Sequence, residues 1–229
     1  MKLSEQTVEV LKNFATINQS ILFTDGKELN TVAVQKNLLG SATVTEKFES
    51  PKGEFAIYDL NEFLSTLSLF EDPDVEFGEQ FATISDSRAN TVYWFADKEI
   101  IVYPTSKIEM PDAEVEFTLT AESLDKLQRA TGTLGVPDLV IRRGKDDPTK
   151  IIAEVLDKRN DTSNTFSLEV GEDYRGDADF KFYFLNERMK MLPGDYNVQI
   201  SSKKISKLTS VPDGEVTYWI ALEQDSTYE

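Results

Sequence analysis

The 229-residue sequence contains no cysteine and no histidine. Without cysteine there is no disulfide framework and no thiolate metal site, which favours an intracellular compartment. Without either residue, Ser-His-Asp and Cys-His nucleophilic machinery, imidazole acid–base work near neutral pH and the usual zinc sites are excluded. Carboxylates, lysine, tyrosine and backbone groups remain for chemistry. No hydrophobic run approaches the roughly 20 residues of a membrane span, and the opening MKLSEQTVEVLKNF lacks the apolar core of a signal peptide. The expectation is a soluble protein, not exported by that route, with no membrane partner. Neither G-x-G-x-x-G nor G-x-x-x-x-G-K-S/T occurs, so dinucleotide and ATP binding have no loop to start from and no cofactor is expected.

Positive charge is also scarce. Lysine and arginine number 24 against 41 aspartates and glutamates, a formal charge of -17. Such a surface repels nucleic acid and anionic membranes, whereas a conventional DNA-binding domain looks basic. With 40% hydrophobic and 28% charged residues, the chain has the mix of a folded protein.

What the sequence does have is an internal repeat, the first thing to look for in a chain of this length. FAIYDLNE, from Phe55 to Glu62, returns 125 positions later as FKFYFLNE, from Phe180 to Glu187. Tyr93-Trp94-Phe95-Ala96 returns at the same displacement as Tyr218-Trp219-Ile220-Ala221, so the only two tryptophans correspond. Upstream, Leu3 to Leu11 matches Leu119 to Leu127 at a displacement of 116, so the second copy has a longer middle. The extra length fits either Gly144 to Thr149 or Asp157 to Asn164, both polar and turn-like. The copies meet near residues 104 to 114, and the domains are placed at 1–108 and 109–229.

Within a copy the pattern subdivides again. Thr7, Val10, Leu11, Phe14 and Ile17 form a stripe at helical spacing. Alternating runs at 20–23, 31–35, 42–45, 55–58, 75–77, 81–84 and 91–95 read as strands. Asp59 is a good N-cap, with Glu62 at the third helical position and Leu60, Phe63, Leu64 and Leu67 on one face. In the second copy, helices are expected at 121–131 and 186–192, the latter stopped by Pro193-Gly194. The expected unit is a helix followed by three strands, twice per copy, giving four helices and about sixteen strands. Short strands without long crossovers imply antiparallel sheets with helices gathered on one face, an α+β fold.

Candidate chemistry is thin. The acidic runs Glu71 to Asp74 and Glu172 to Asp179 lack the spacing of a calcium loop and read as solvated loops. Asp59 with Glu62, or Asn186 with Glu187, could be taken for catalytic groups, but capping accounts for the first pair. Trp94 and Trp219 recur beside tyrosines on strands, which suits core or interface packing. The helical cations Lys12, Lys126, Arg129, Arg188 and Lys190, taken alone, read as ordinary solvent-facing charges rather than phosphate contacts.

The opening MKLSEQTVEVLKNFATIN, the YDLNEFLSTLSL helix, the SDSRANTVYW strand, the LPGDYNV turn and the closing YWIALEQDST together resemble, in order and over essentially the whole chain, the DNA polymerase sliding clamps of T4-like bacteriophages. The resemblance implies a DNA-clamp fold of two similar domains, each with antiparallel sheets outside and two helices on the inner face. Three subunits would close into a ring around duplex DNA. A ring held topologically needs little affinity, so its exterior can be acidic while Lys12, Lys126, Arg129, Arg188 and Lys190 make weak, sequence-independent phosphate contacts. Four of these five lie in the second copy, so contact should lean on residues 112–229.

The same resemblance places the subunit interface where a strand near Trp94 meets one around residues 164–170, including Phe166 and Leu168 of the next chain. It places partner tails against the connector, with Tyr103, Pro104, Ile108, Met110 and Pro111, and against Leu222. The implied partners are DNA, further copies of the chain, the replicative polymerase, an ATP-driven clamp loader and late-transcription factors, in the cytoplasm of an infected bacterium. No enzymatic activity is expected. Two other readings stay open on the residues alone: an acidic interaction scaffold or DNA mimic, and a carboxylate-dependent hydrolase using Asp59 or Glu187.

Overall fold

Ser4 begins the first helix. Its backbone is extended and its hydroxyl accepts the Thr7 amide at 3.2 Å, satisfying one of the donors that a helix leaves open at its start. Glu46 adds to this by accepting from the Ser4 amide and the Thr7 hydroxyl. Helix α1 (Glu5–Ile17) then buries Thr7, Val10, Leu11, Phe14 and Ile17, the stripe expected from their spacing. Gly40 lets it lie close to strand β3 (Leu38–Phe48): a Cβ there would come within 2.9 Å of the Phe14 ring.

This computed structural model describes residues 1–172 and 174–229, which form two units, Met1–Lys107 and Ile108–Glu229. In the first, β1 (Ile21–Thr24) pairs with β4 (Glu54–Ile57), and β2 (Gly26–Val32) pairs with β3. Helix α2 (Leu60–Leu67) follows, and then a sheet of β5 (Asp74–Phe77), β6 (Phe81–Ser85) and β7 (Asn90–Trp94) with β7 at its edge. The core is aromatic, with Phe23 stacked on Phe55 at 4.7 Å and Phe55 on Phe77 at 4.5 Å. The strand expected through residue 35 stops at Val32 instead. The chain reverses over residues 33–37, closed by the Ala33 amide on Leu38 O and by Lys36 in the left-handed region at φ 56°.

The second unit repeats the order after an added first strand, β8 (Val115–Leu119). Helix α3 (Ala121–Leu134) starts at Thr120, which caps Ser123 as Ser4 caps Thr7, and ends on Gly135 in the left-handed conformation that suits glycine. Strands β9 (Asp138–Arg143), β10 (Ile151–Leu156), β11 (Phe166–Gly171), β12 (Phe180–Leu185) and β16 (Thr227–Tyr228) make one sheet in the order β11-β10-β9-β12-β16. Strands β13 (Asp195–Ser201), β14 (Ile205–Val211) and β15 (Val216–Ala221) lie beside β8 in the order β15-β14-β13-β8. Both stretches considered for the extra length are connections, one between β9 and β10 and the other between β10 and β11. The acidic run from Glu172 to Asp179 includes Asp173, which lies outside the described residues.

The fold is α+β with antiparallel sheets, and sixteen strands are present among the described residues. Among the same residues the α-helices number three rather than four. The helix expected at 186–192 is only a 3-10 turn, Asn186–Arg188. The repeat explains its loss. Where the first copy has Asp59 accepting the Glu62 amide at 3.0 Å, the second has Phe184, which is buried in the core and cannot cap. Where the first buries Phe63, the second has Arg188, and Pro193 then forbids a longer helix. Two tyrosines hold the segment in place of helical bonds. Tyr196 donates its hydroxyl to Leu192 O at 2.8 Å, and the Leu192 amide donates to the Tyr218 hydroxyl at 3.2 Å. Burial pushes Tyr218 up to about 12, so it stays a neutral phenol.

Candidate nucleic-acid and assembly surfaces

The basic residues fall into three situations. Lys12 is exposed on α1, off the buried stripe, and makes no ion pair among the described residues. Lys126 and Arg129 project from α3 but each is held by a carboxylate one turn back: Lys126 Nζ to Glu122 Oε1 at 2.6 Å and Arg129 Nη2 to Asp125 Oδ2 at 2.6 Å. Arg188 and Lys190 are not helical. Lys190 is exposed beyond the 3-10 turn, whereas the Arg188 side chain is only 14% exposed.

Arg188 therefore departs from its expected place on a DNA-facing helix. Its Nη1 donates to Glu223 at 2.8 Å and to Ala221 O at 3.3 Å. Glu223 also lies 3.9 Å from Lys158, which bonds Asp225 at 2.9 Å, lies 3.8 Å from Asp138 and sits 5.0 Å over the Tyr183 ring. Arg188, standing where the first copy has a core phenylalanine, anchors the segment after β15. Lys204 reinforces that segment by donating to Ser226 O.

The connector residues are partly available. Tyr103, Pro104, Met110 and Pro111 are half-buried and Ile108 is 36% exposed. Asn18 fixes the approach to the connector by donating Nδ2 to Val102 O at 2.7 Å, and Lys98 lies 5.4 Å over the Tyr103 ring. Leu222 does not present a surface: at 3% exposure it is a core residue, and its amide is bonded to Lys204 O at 3.0 Å. Strand alternation after β15 turns it inward, an orientation that its place in the C-terminal segment does not convey. Ile100, 62% exposed beside the connector, is an apolar residue that sequence spacing did not single out.

Trp94 and the pair Phe166 and Leu168 lie on two sheet edges. Among the described residues strand β7 pairs only with β6, and Trp94 at its end is 64% exposed, touching Phe81 edge-on at 5.1 Å. Val92, 45% exposed, lies two residues away on the same face, a neighbour readable from strand alternation. None of the five residues of β7 is charged. Among the described residues strand β11 pairs only with β10, with Phe166, Leu168 and Val170 half-buried and Ser167 and Glu169 exposed. Bare edges with β-branched and aromatic residues and little charge are ready to accept another strand.

Among known proteins, the DNA polymerase processivity factor family matches residues 2–103, and the family described as gp45 sliding clamp, C terminal, matches residues 116–224. The sliding clamp of Escherichia phage RB69 is 36% identical over the whole of both chains. That of Vibrio phage KVP40 is 34% identical over 97% of this chain and 99% of its own. Among solved structures, an A. fulgidus PCNA with the C-terminal region of FEN-1 bound is 11% identical and superposes over 99% of this chain and 98% of its own with a TM-score of 0.70, a likeness of fold. The chain belongs to the bacteriophage sliding-clamp family of DNA polymerase processivity factors, which are accessory proteins and not enzymes.

Proposed function

We propose that three copies of this chain close into a ring that encircles duplex DNA and tethers the replicative polymerase for processive synthesis. The observation that carries this reading is the pair of open edges, β7 in one unit and β11 in the other. A heterologous contact between different surfaces of identical chains either closes as a ring or grows without limit. Pairing β7 of one chain with β11 of the next would cover Val92, Trp94, Phe166 and Leu168 and close both of these edges. Three chains would supply six units, with α1 and α3 turned toward the duplex.

Topological linkage reconciles the charge of -17 with a DNA partner. Lys12, Lys126, Arg129 and Lys190 would supply transient, sequence-independent phosphate contacts, weak enough for sliding. Partner tails would dock against the connector around Tyr103, Ile108 and Met110, as the solved PCNA carries the tail region of FEN-1. An ATP-driven loader would open the ring, and late-transcription factors would use it as a mobile platform in the infected cell's cytoplasm. The test is retention on DNA after loading by a cognate loader. The ring should stay on nicked circular plasmid at moderate salt and run off within minutes of linearisation. Equal loss from both forms would reject encirclement.

A further inference from the structure

The two cations of α3 are not presented bare. Glu122 and Asp125 each sit four residues before their basic partner, on the exposed side of the helix, and each takes its partner's charge at 2.6 Å. The arrangement is redundant for folding, since α3 is already capped by Thr120 and closed by Gly135 and is held to its sheets by buried Leu124 and Leu127. The hydrogen bond from Lys126 also keeps the Glu122 carboxyl below its usual range, so at neutral pH it is fully ionised. Each carboxylate engages an N–H donor of the ammonium or guanidinium that a DNA phosphate oxygen would also need. Helix α1 is built differently, since Lys12 makes no ion pair among the described residues.

We infer that Glu122 and Asp125 are built-in competitors of phosphate that limit how strongly α3 grips the DNA backbone. This rests on the placement of α3 toward the duplex. Exposed pairs of this spacing are weak and exchange readily, so each cation can pass from its own carboxylate to a phosphate and back. A helix with the cations alone would hold phosphates longer and release more counterions on binding. The pairs act as a brake on adhesion, and they let the clamp carry basic side chains without sticking to DNA it has not been loaded onto.

The test uses the full-length chain and a fluorescently labelled 30-base-pair duplex, which slides through a ring without being trapped, so that anisotropy reads backbone contact alone. Glu122→Gln with Asp125→Asn is compared with wild type and with Glu71→Gln with Asp161→Asn, a control that changes net charge equally at exposed loop positions. Removing two carboxylates about 7 Å from the phosphates should tighten binding by about ten-fold at low salt. It should also steepen the dependence of log affinity on log salt by up to about 0.9 for each phosphate newly engaged. The control should move neither by more than a small fraction of that.

If the helix variant matches the control, the brake does not exist. Lys126→Glu with Arg129→Glu separates this failure from a failure of the placement. Weaker binding in that variant with no gain in Glu122→Gln/Asp125→Asn overturns only the brake, whereas no weakening shows that α3 faces away from DNA and overturns both. Retention of the wild-type chain on circular DNA is read independently of either.

Discussion

The two units follow one plan, a capped helix, four strands, a second helical segment and further strands, yet they treat the second segment in opposite ways. In the first, Asp59 caps α2 and Phe63 seats it in the core. In the second, Phe184 and Arg188 occupy the equivalent positions, no helix forms, and the segment is tied down by tyrosine hydroxyls and by the Arg188–Glu223 pair. The equivalent segment of the repeat is therefore held once by helical hydrogen bonds and apolar packing, and once by polar anchors from neighbouring strands. The difference shows which parts of a repeat are free to vary: the strands recur in the same succession along the chain, and the helical element between them can be replaced if its polar groups find other partners.

The contrast can be broken most forcefully at its apolar side. Phe63→Ala should destabilise the first unit by about 3–5 kcal/mol, the usual range for emptying a buried aromatic site. Urea denaturation followed by tryptophan fluorescence would check it, with Trp94 reporting on this unit and Trp219 on the other. Arg188→Leu tests the polar side. It leaves Glu223, 25% exposed, with the longer approach of Lys158 among the described residues, and should cost about 1–3 kcal/mol, the scale of a hydrogen bond to a charged group. If Arg188→Leu proved more stable than wild type, packing rather than pairing would be holding the 3-10 turn.

A smaller effect belongs to the cap. Asp59→Ala removes the acceptor of the Glu62 amide and of the Gln19 amide, the latter at 2.8 Å, and should cost about 1 kcal/mol. The Glu62 amide and then Gln19 hold the Asp59 carboxyl below its ordinary value. A carboxylate depressed on folding adds stability above its unfolded value of about 4 and loses it as pH falls through the folded one. Wild type and Asp59→Ala should therefore differ fully at neutral pH and converge in strong acid, as denaturation midpoints measured across pH would show. The smallest change is expected at Glu122→Gln, which should leave the melting midpoint essentially unchanged. A large drop would mean that the α3 ion pairs hold the helix rather than tune its surface.

Much of this was legible in the residues. Periodicity located α1, α2 and α3, and Asp59 with Glu62 marked the start of α2. The helix expected at 186–192 is absent because the copied Leu-Asn-Glu motif survives at 185–187 while the residues that make α2 helical, Asp59 and Phe63, have no counterpart there. Comparing the copies position by position, rather than by motif, exposes that exchange. Cations were visible but their partners only partly so. The i,i+4 spacing of Glu122 with Lys126 and Asp125 with Arg129 could be read from sequence, whereas the approach of Arg188 to Glu223 depends on long-range pairing that no local pattern encodes. The expectation that DNA contact leans on the second copy is weakened accordingly, since of its four cations two are paired on α3 and Arg188 is committed to the fold.

Ring closure turns on whether the open edges β7 and β11 meet in different chains, and the mass of the particle in solution tests that most directly. Light scattering at micromolar concentration should give about three times 25.9 kDa for the wild type, and Val92→Lys with Trp94→Glu on β7 should shift it toward the single-chain mass. A wild-type chain that stays monomeric at every concentration, or a β7 variant that assembles as well as wild type, would contradict it.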